Sequence, residues 1–153
     1  MTYRSLLTVL TDPTDLGPSL EAAVALARHD DAHLDVLCLG LDGIHYPVGV
    51  MGIDTSFTLT ALAEATERSA ELAMAARDRL EGEDIRWAVE DTGAQLLGLT
   101  AQVAPRARFA DLVVLSRGPG DAPVATEVLE AALFGARVPV LVVPAGGLPA
   151  WPP

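Results

Sequence analysis

Five short apolar runs punctuate the chain, at residues 5–10, 33–39, 85–89, 111–115 and 138–143. Three of them, "LLTVL", "DLVVL" and "PVLVV", are almost continuously apolar. That pattern predicts central strands of a parallel sheet, buried on both faces. "IRWAVE" alternates apolar and polar instead, which predicts an edge strand. Helical periodicity fills the intervals. Leu16, Leu20, Ala23, Val24 and Ala27 fall on one face of a first helix, with Pro18 in its opening turn and "RHDDAH" closing it. A second helix over about 56–81 carries the stripe Leu62, Ala65, Ala73, Ala76 and Leu80, and Gly82 supplies its stop. Thr92 and Gln95 have capping-box spacing before Leu96, Leu99 and Val103, and Pro105 is expected to end or kink that third helix. The fourth begins near Asp121, has Pro123 in its first turn, runs along Val124, Val128, Leu129, Ala132 and Leu133, and stops at Gly135.

Strands and helices therefore alternate, β-α-β-α-β-α-β-α-β. This order predicts an α/β fold with a parallel sheet covered by helices on both faces. No repeat, linker or low-complexity tract interrupts it, so the 153 residues are expected to form one domain. Only 42–55, "DGIHYPVGVMGIDT", and the tail 144–153, "PAGGLPAWPP", read as irregular.

Composition narrows the function classes. With 50% hydrophobic and 20% charged residues the chain is globular in character, and with 5% aromatics its core must be built from Ala, Val and Leu. A net charge of −11 repels phosphate backbones and anionic lipid, which argues against nucleic-acid or membrane partners. No apolar run approaches the roughly 20 residues a spanning helix needs. The apolar stretch near the N-terminus is too short for a signal segment and meets Asp12 at once. A lone cysteine, Cys38, suits a reducing compartment and reads as a small core hydrophobe. The expected location is cytoplasmic.

In an open α/β sheet ligands collect at the carboxyl ends of the strands, where the strand order reverses. Asp12 after the first strand and the stretch "SRGPG" after the fourth flank such a point. The carboxylate suits ribose hydroxyls or an amine. Ser116, Arg117, Gly118 and Gly120, just before a helix, suit an anion. Each also has a plain structural reading, as an Asx turn and a flexible connection. Other chemistries lack their residues. There is no GxxxxGK[ST] loop and no G-x-S-x-G elbow, and "GPGDAP" lacks the last glycine of GxGxxG. His29, His33 and His45 lack zinc-site spacing and read as solvated surface groups. No carboxylate pair stands out for acid–base work.

"YRSLLTVLTDPTD", the segment "SLEAAVALARHDDAHLDVLCL", "ADLVVLSRG" and the ending "VPVLVVPAG" resemble the universal stress protein family over nearly the whole chain. The resemblance implies a five-stranded parallel sheet in the order 3-2-1-4-5, of the adenine nucleotide alpha hydrolase-like type. It also implies a non-enzymatic stress-response role and a homodimer formed through the last strand, Val138 to Val143. Family members that bind ATP carry G-x-x-G, nine residues, then G-[ST]. Here Leu115 stands at the first glycine and Gly118 at the second. Val128 lies nine residues beyond Gly118, and counting back from "PVLVV" brings Thr126 to the hydroxyl position without its glycine. A side chain there intrudes on phosphate, and Glu127 adds a like charge. Asp12 matches the nucleotide-contacting aspartate of binders, and Gly40 falls near the adenine-contacting strand end. The expectation is a degenerate pocket with no cofactor, serving a small ligand or a protein partner. The alternative is an ATP or AMP sensor using Arg117, Gly118, Gly120 and Thr126. Neither a HIGH-like motif nor an SGG-x-DS loop follows the first strand, so an enzyme of the wider nucleotide-binding group has no support. The 42–55 segment is expected to fold over the pocket, lined by His45, Tyr46 and Met51.

Overall fold

The computed structural model describes residues 2–41, 55–94, 98–117 and 122–148. The elements are β1 (Ser5–Leu10), a 3-10 turn (Pro13–Leu16), α1 (Pro18–Asp30), β2 (His33–Leu41), α2 (Thr55–Leu80) and β3 (Arg86–Ala94). They continue with α3 (Leu99–Ala107), β4 (Leu112–Arg117), α4 (Ala122–Glu130), a π-helical segment (Ala131–Ala136) and β5 (Val140–Pro144). The strands form one parallel sheet in the order β3-β2-β1-β4-β5. The alternating strand is thus at one edge, as its pattern predicts, because only one of its faces meets helices.

Alternate residues of each strand face opposite layers. Leu6, Leu10, Leu34, Val36, Cys38, Leu112 and Val114 pack under α1 and α2. Leu7, Val9, Leu37, Leu39, Val113 and Leu115 pack under α3, α4 and the π-helical segment. A continuous apolar run is what a strand needs to serve two cores at once. At the amino ends of the strands, Asp111 accepts the backbone N–H groups of Arg4 (2.8 Å) and Ser5 (3.0 Å), while Asp30 accepts that of Tyr3 (2.8 Å). Arg79 holds α1 to the end of α2 through a two-pronged contact with Glu21 (2.6 and 2.7 Å) and a third bond to Glu83 (2.7 Å).

Several boundaries depart from the sequence pattern. Thr92 does not open α3. It lies in β3 opposite Leu39, because pairing with β2 carries the strand on to Ala94 and ladder bonds outweigh a local cap. The helix starts at Leu99 after Gly98, and Gln95 and Leu96 lie outside the described residues. Pro105 does not end α3, which continues to Ala107. The missing N–H forfeits a bond to the carbonyl of Ala101, an exposed residue open to water. Leu62 is 41% exposed, whereas Ala65, Ala73, Ala76 and Leu80 are buried as expected, and Ala61, Ser69 and Leu72 complete the buried stripe of α2. Ser69 escapes a hydrophobic pattern because its hydroxyl is satisfied locally, donating to the Thr66 carbonyl at 2.7 Å. Gly82 follows α2 with φ +86°, the left-handed turn expected of it. The left-handed cap after α4 is Arg137 (φ 59°), not Gly135. Gly135 instead allows close approach to α3: a Cβ there lies 3.1 Å from that of Ala104.

Candidate functional site

The strand order reverses between β1 and β4, since α1 leaves β1 on one face and α4 leaves β4 on the other. The two strands pair over three positions, ending at Thr8 opposite Val114. Both then run on, β1 to Leu10 and β4 to Arg117, without further pairing to each other. Just before they part, the buried Thr8 hydroxyl donates to the Val114 carbonyl at 2.9 Å. The carboxyl ends therefore extend, unpaired to each other, beyond a pinned base. This is the geometry of a switch-point crevice.

Of the sequence-predicted residues, Asp12, Ser116 and Arg117 lie at the carboxyl ends of the two strands that flank that point. Asp12 is partly exposed in the turn directly after β1. Ser116 is partly buried and Arg117 exposed at the end of β4, where they pair in register with Val143 and Pro144. Thr126 is exposed on α4, with the half-buried Glu127 beside it. Gly118 and Gly120 lie outside the described residues, as do His45, Tyr46 and Met51 of the 42–55 segment. Leu115, at the position of the first loop glycine, is a core residue of β4 only 6% exposed. It packs in the cluster under α3 and α4 and pairs in register with Val142 of β5.

Gly40 has a packing reason of its own. A Cβ there comes within 1.7 Å of the Ala65 carbonyl oxygen and 2.8 Å of the Ser69 nitrogen, so the missing side chain makes room for α2. Its register partner Gly93 faces the same helix at Thr66. Arg68 also belongs to this end of the sheet, donating from Nη1 to the Leu41 carbonyl (2.8 Å) and lying 3.7 Å from Glu64. Sequence reading missed Arg68 and Gly93. The Gly40–Gly93 pairing in register is the signal that marks where α2 crosses.

The remaining chemistry-bearing groups are elsewhere. His29 contacts Asp30 (2.6 Å) and His33 contacts Asp35 (3.1 Å), both toward the amino ends of the strands. Among the described residues no group of His, Cys, Asp or Glu is placed to hold a metal. Cys38 is buried in β2, and its thiol is pushed up to about 12 by burial first and by the Asp91 charge second. A groove of about 420 Å³ lies between α1 and the segment after β5, and its Glu21 is committed to Arg79.

Solved structures share this arrangement. Universal stress protein UspA from Lactobacillus plantarum matches with a TM-score of 0.61 at 17% identity, over 93% of this chain and 98% of its own. A protein of the universal stress protein family from Burkholderia pseudomallei matches with a TM-score of 0.58 at 23% identity, over 93% of this chain and 96% of its own. The fold is that of the universal stress proteins. A deacetylase of the teicoplanin biosynthesis pathway has a TM-score of 0.54 at 17% identity, over 92% of this chain and 66% of its own. No protein-family model matches the sequence, and no curated protein matches it. No helix among the described residues is long and apolar enough to cross a membrane.

Proposed function

We propose that the chain is a single-domain, cytoplasmic, non-enzymatic stress-response protein of the universal stress type. Its crevice between β1 and β4 is a degenerate nucleotide pocket. It serves a small ligand or a protein partner and needs no cofactor. The observation that carries the reading is Leu115, buried in the sheet at the place of a phosphate-loop glycine. Glu127 on α4 supports it, since a carboxylate beside a polyphosphate is unfavourable. Asp12 is the group best placed for any ligand contact that survives.

Asp12, Ser116 and the exposed Arg117 favour a second reading, an ATP- or AMP-binding sensor with a variant loop that includes Gly118, Gly120 and Thr126. Calorimetric titration of nucleotide-stripped protein with ATP and AMP separates the two. The degenerate pocket predicts no heat at millimolar ATP. Micromolar binding abolished by Asp12→Ala and by Gly118→Val would overturn it in favour of the sensor. The chain is also proposed to dimerise through the last strand, Val138 to Val143, whose Val142 is 43% exposed on the free edge beyond β4. Sedimentation of wild type and Val142→Asp tests this: a dimer that the substitution splits is expected, and a wild-type monomer at micromolar concentration refutes it.

A further inference from the structure

The helix layer over the α3 side of the sheet leaves part of β2 and β3 uncovered. In register there stand Asp35 opposite Ala88, and Leu37 opposite Glu90. With Leu7 of β1 below and Arg106 and Phe109 at the end of α3, they line a groove of about 310 Å³. It lies toward the amino half of β2 and β3, away from the crevice at the carboxyl ends.

The floor is apolar. Leu7 and Leu37 are 3% and 1% exposed, and Ala88 adds a methyl at the surface. Phe109 stands at the lip, 85% exposed, an unusual position for so large an apolar ring. The charged groups around the groove are Asp35, Glu90, Arg106 and the neighbouring His33 and Arg86; Arg86, opposite His33, donates to the Asp31 carbonyl and lies 3.4 Å from the Asp31 carboxylate. Arg106 is committed: its Nε donates to Glu90 (2.7 Å) and its Nη1 to the Gln102 carbonyl (2.8 Å). His33 contacts one oxygen of Asp35 through Nε2 (3.1 Å), and the Asp35 side chain remains 51% exposed. Around the groove the three carboxylates of Asp31, Asp35 and Glu90 stand against the two guanidiniums of Arg86 and Arg106. The surrounding field has the same sign, because residues 1–91 hold 17 acidic groups against six arginines, whereas residues 92–153 hold four of each. An anion is repelled here. A cation with an apolar body finds a carboxylate, a greasy floor and an exposed aromatic ring at the lip.

We propose that this groove binds a small organic ammonium ion, an aryl- or alkylamine, with its apolar body on Leu7, Leu37 and Ala88 and its charge between Asp35 and Phe109. The site is independent of the nucleotide-like crevice, so occupancy of one does not require the other.

Chemical-shift titration of the ¹⁵N-labelled full chain with 2-phenylethylamine tests the proposal, against phenylacetate and 2-phenylethanol as anionic and neutral ligands with the same ring. Saturable shifts at the amides of Leu37, Ala88 and Phe109 are expected for the amine alone. Asp35→Asn and Phe109→Leu should each weaken it by roughly two- to fivefold, the scale of one exposed ion pair or cation–π contact. Phe109→Leu keeps an apolar group at the lip and removes only the ring face. Both side chains are exposed, so the variant spectra should keep wild-type dispersion elsewhere. Equal affinity for 2-phenylethanol, shifts outside the groove, or unchanged affinity in both variants overturns the proposal.

Discussion

Replacing Gly40 by alanine puts a methyl carbon 1.7 Å from the carbonyl oxygen of Ala65, 2.7 Å from its carbonyl carbon and 2.8 Å from the nitrogen of Ser69. All three are backbone atoms of α2, so no side chain can turn aside. Ordinary contact begins near 3.4 Å, and the helix must lift by about 1.7 Å at this point. Ala61, Ala65 and Ser69 sit in the contact that would open, at 7%, 0% and 0% exposure. Overpacking against rigid backbone costs about 3 kcal/mol or more, the upper end of such substitutions. With a urea slope of about 2 kcal/mol per molar, the unfolding midpoint should fall by roughly 1.5 M. Far-UV circular dichroism along a urea series measures it. Gly93→Ala meets the movable Thr66 hydroxyl at 2.7 Å and backbone nitrogen at 3.0 Å, and should cost about 1–2 kcal/mol. Gly146→Ala has no atom within 4 Å and should stay within about 0.5 kcal/mol of wild type. A Gly40→Ala midpoint no lower than that of Gly146→Ala would refute the reasoning.

Three further outcomes are expected. Arg137 holds a left-handed φ of 59°, a conformation costing about 1–2 kcal/mol for a residue with a Cβ. Arg137→Gly should therefore raise the melting temperature by roughly 2–4 °C in a calorimetric scan, after allowing for the looser unfolded chain. Backbone donors from Arg4 and Ser5 hold the Asp111 carboxyl below its usual value, so its stabilisation is complete above the unfolded pKa of about 3.9 and is lost as pH falls through the folded one. The urea-midpoint gap between wild type and Asp111→Ala should be constant near neutral pH and close on acidification; a gap unchanged at about pH 2 contradicts this. Cys38, buried and with its thiol pushed up to about 12, should react with Ellman's reagent only as fast as the protein unfolds. Rapid labelling of the native protein would place the thiol at the surface.

The place of the candidate site was legible because a switch point needs only the order of elements and the residues that follow two strands. Asp12 and "SRGPG" occupy those places in the linear chain. The reason for Gly40 was not legible. A glycine near a strand end reads equally as a ligand contact or as room for a helix, and only the path of α2 over Ala65 shows the second. Arg68 was invisible for the same reason: nothing local ties a mid-helix arginine to the Leu41 carbonyl, 27 residues away.

The alternation of strands and helices, the two-sided burial of the central strands and the exposed edge of β3 are written in the linear chain. These follow from hydrophobic period, which is local, and from the need of each apolar face to find cover. Several boundaries and core positions were settled only in the tertiary structure. Pairing with β2 drew Thr92 out of a helix cap and into a strand, close approach to α3 moved the final cap from Gly135 to Arg137, and a satisfied hydroxyl let Ser69 enter the core. In each case the competing local signal is worth about 1 kcal/mol, and contacts between residues distant in the chain outweigh it.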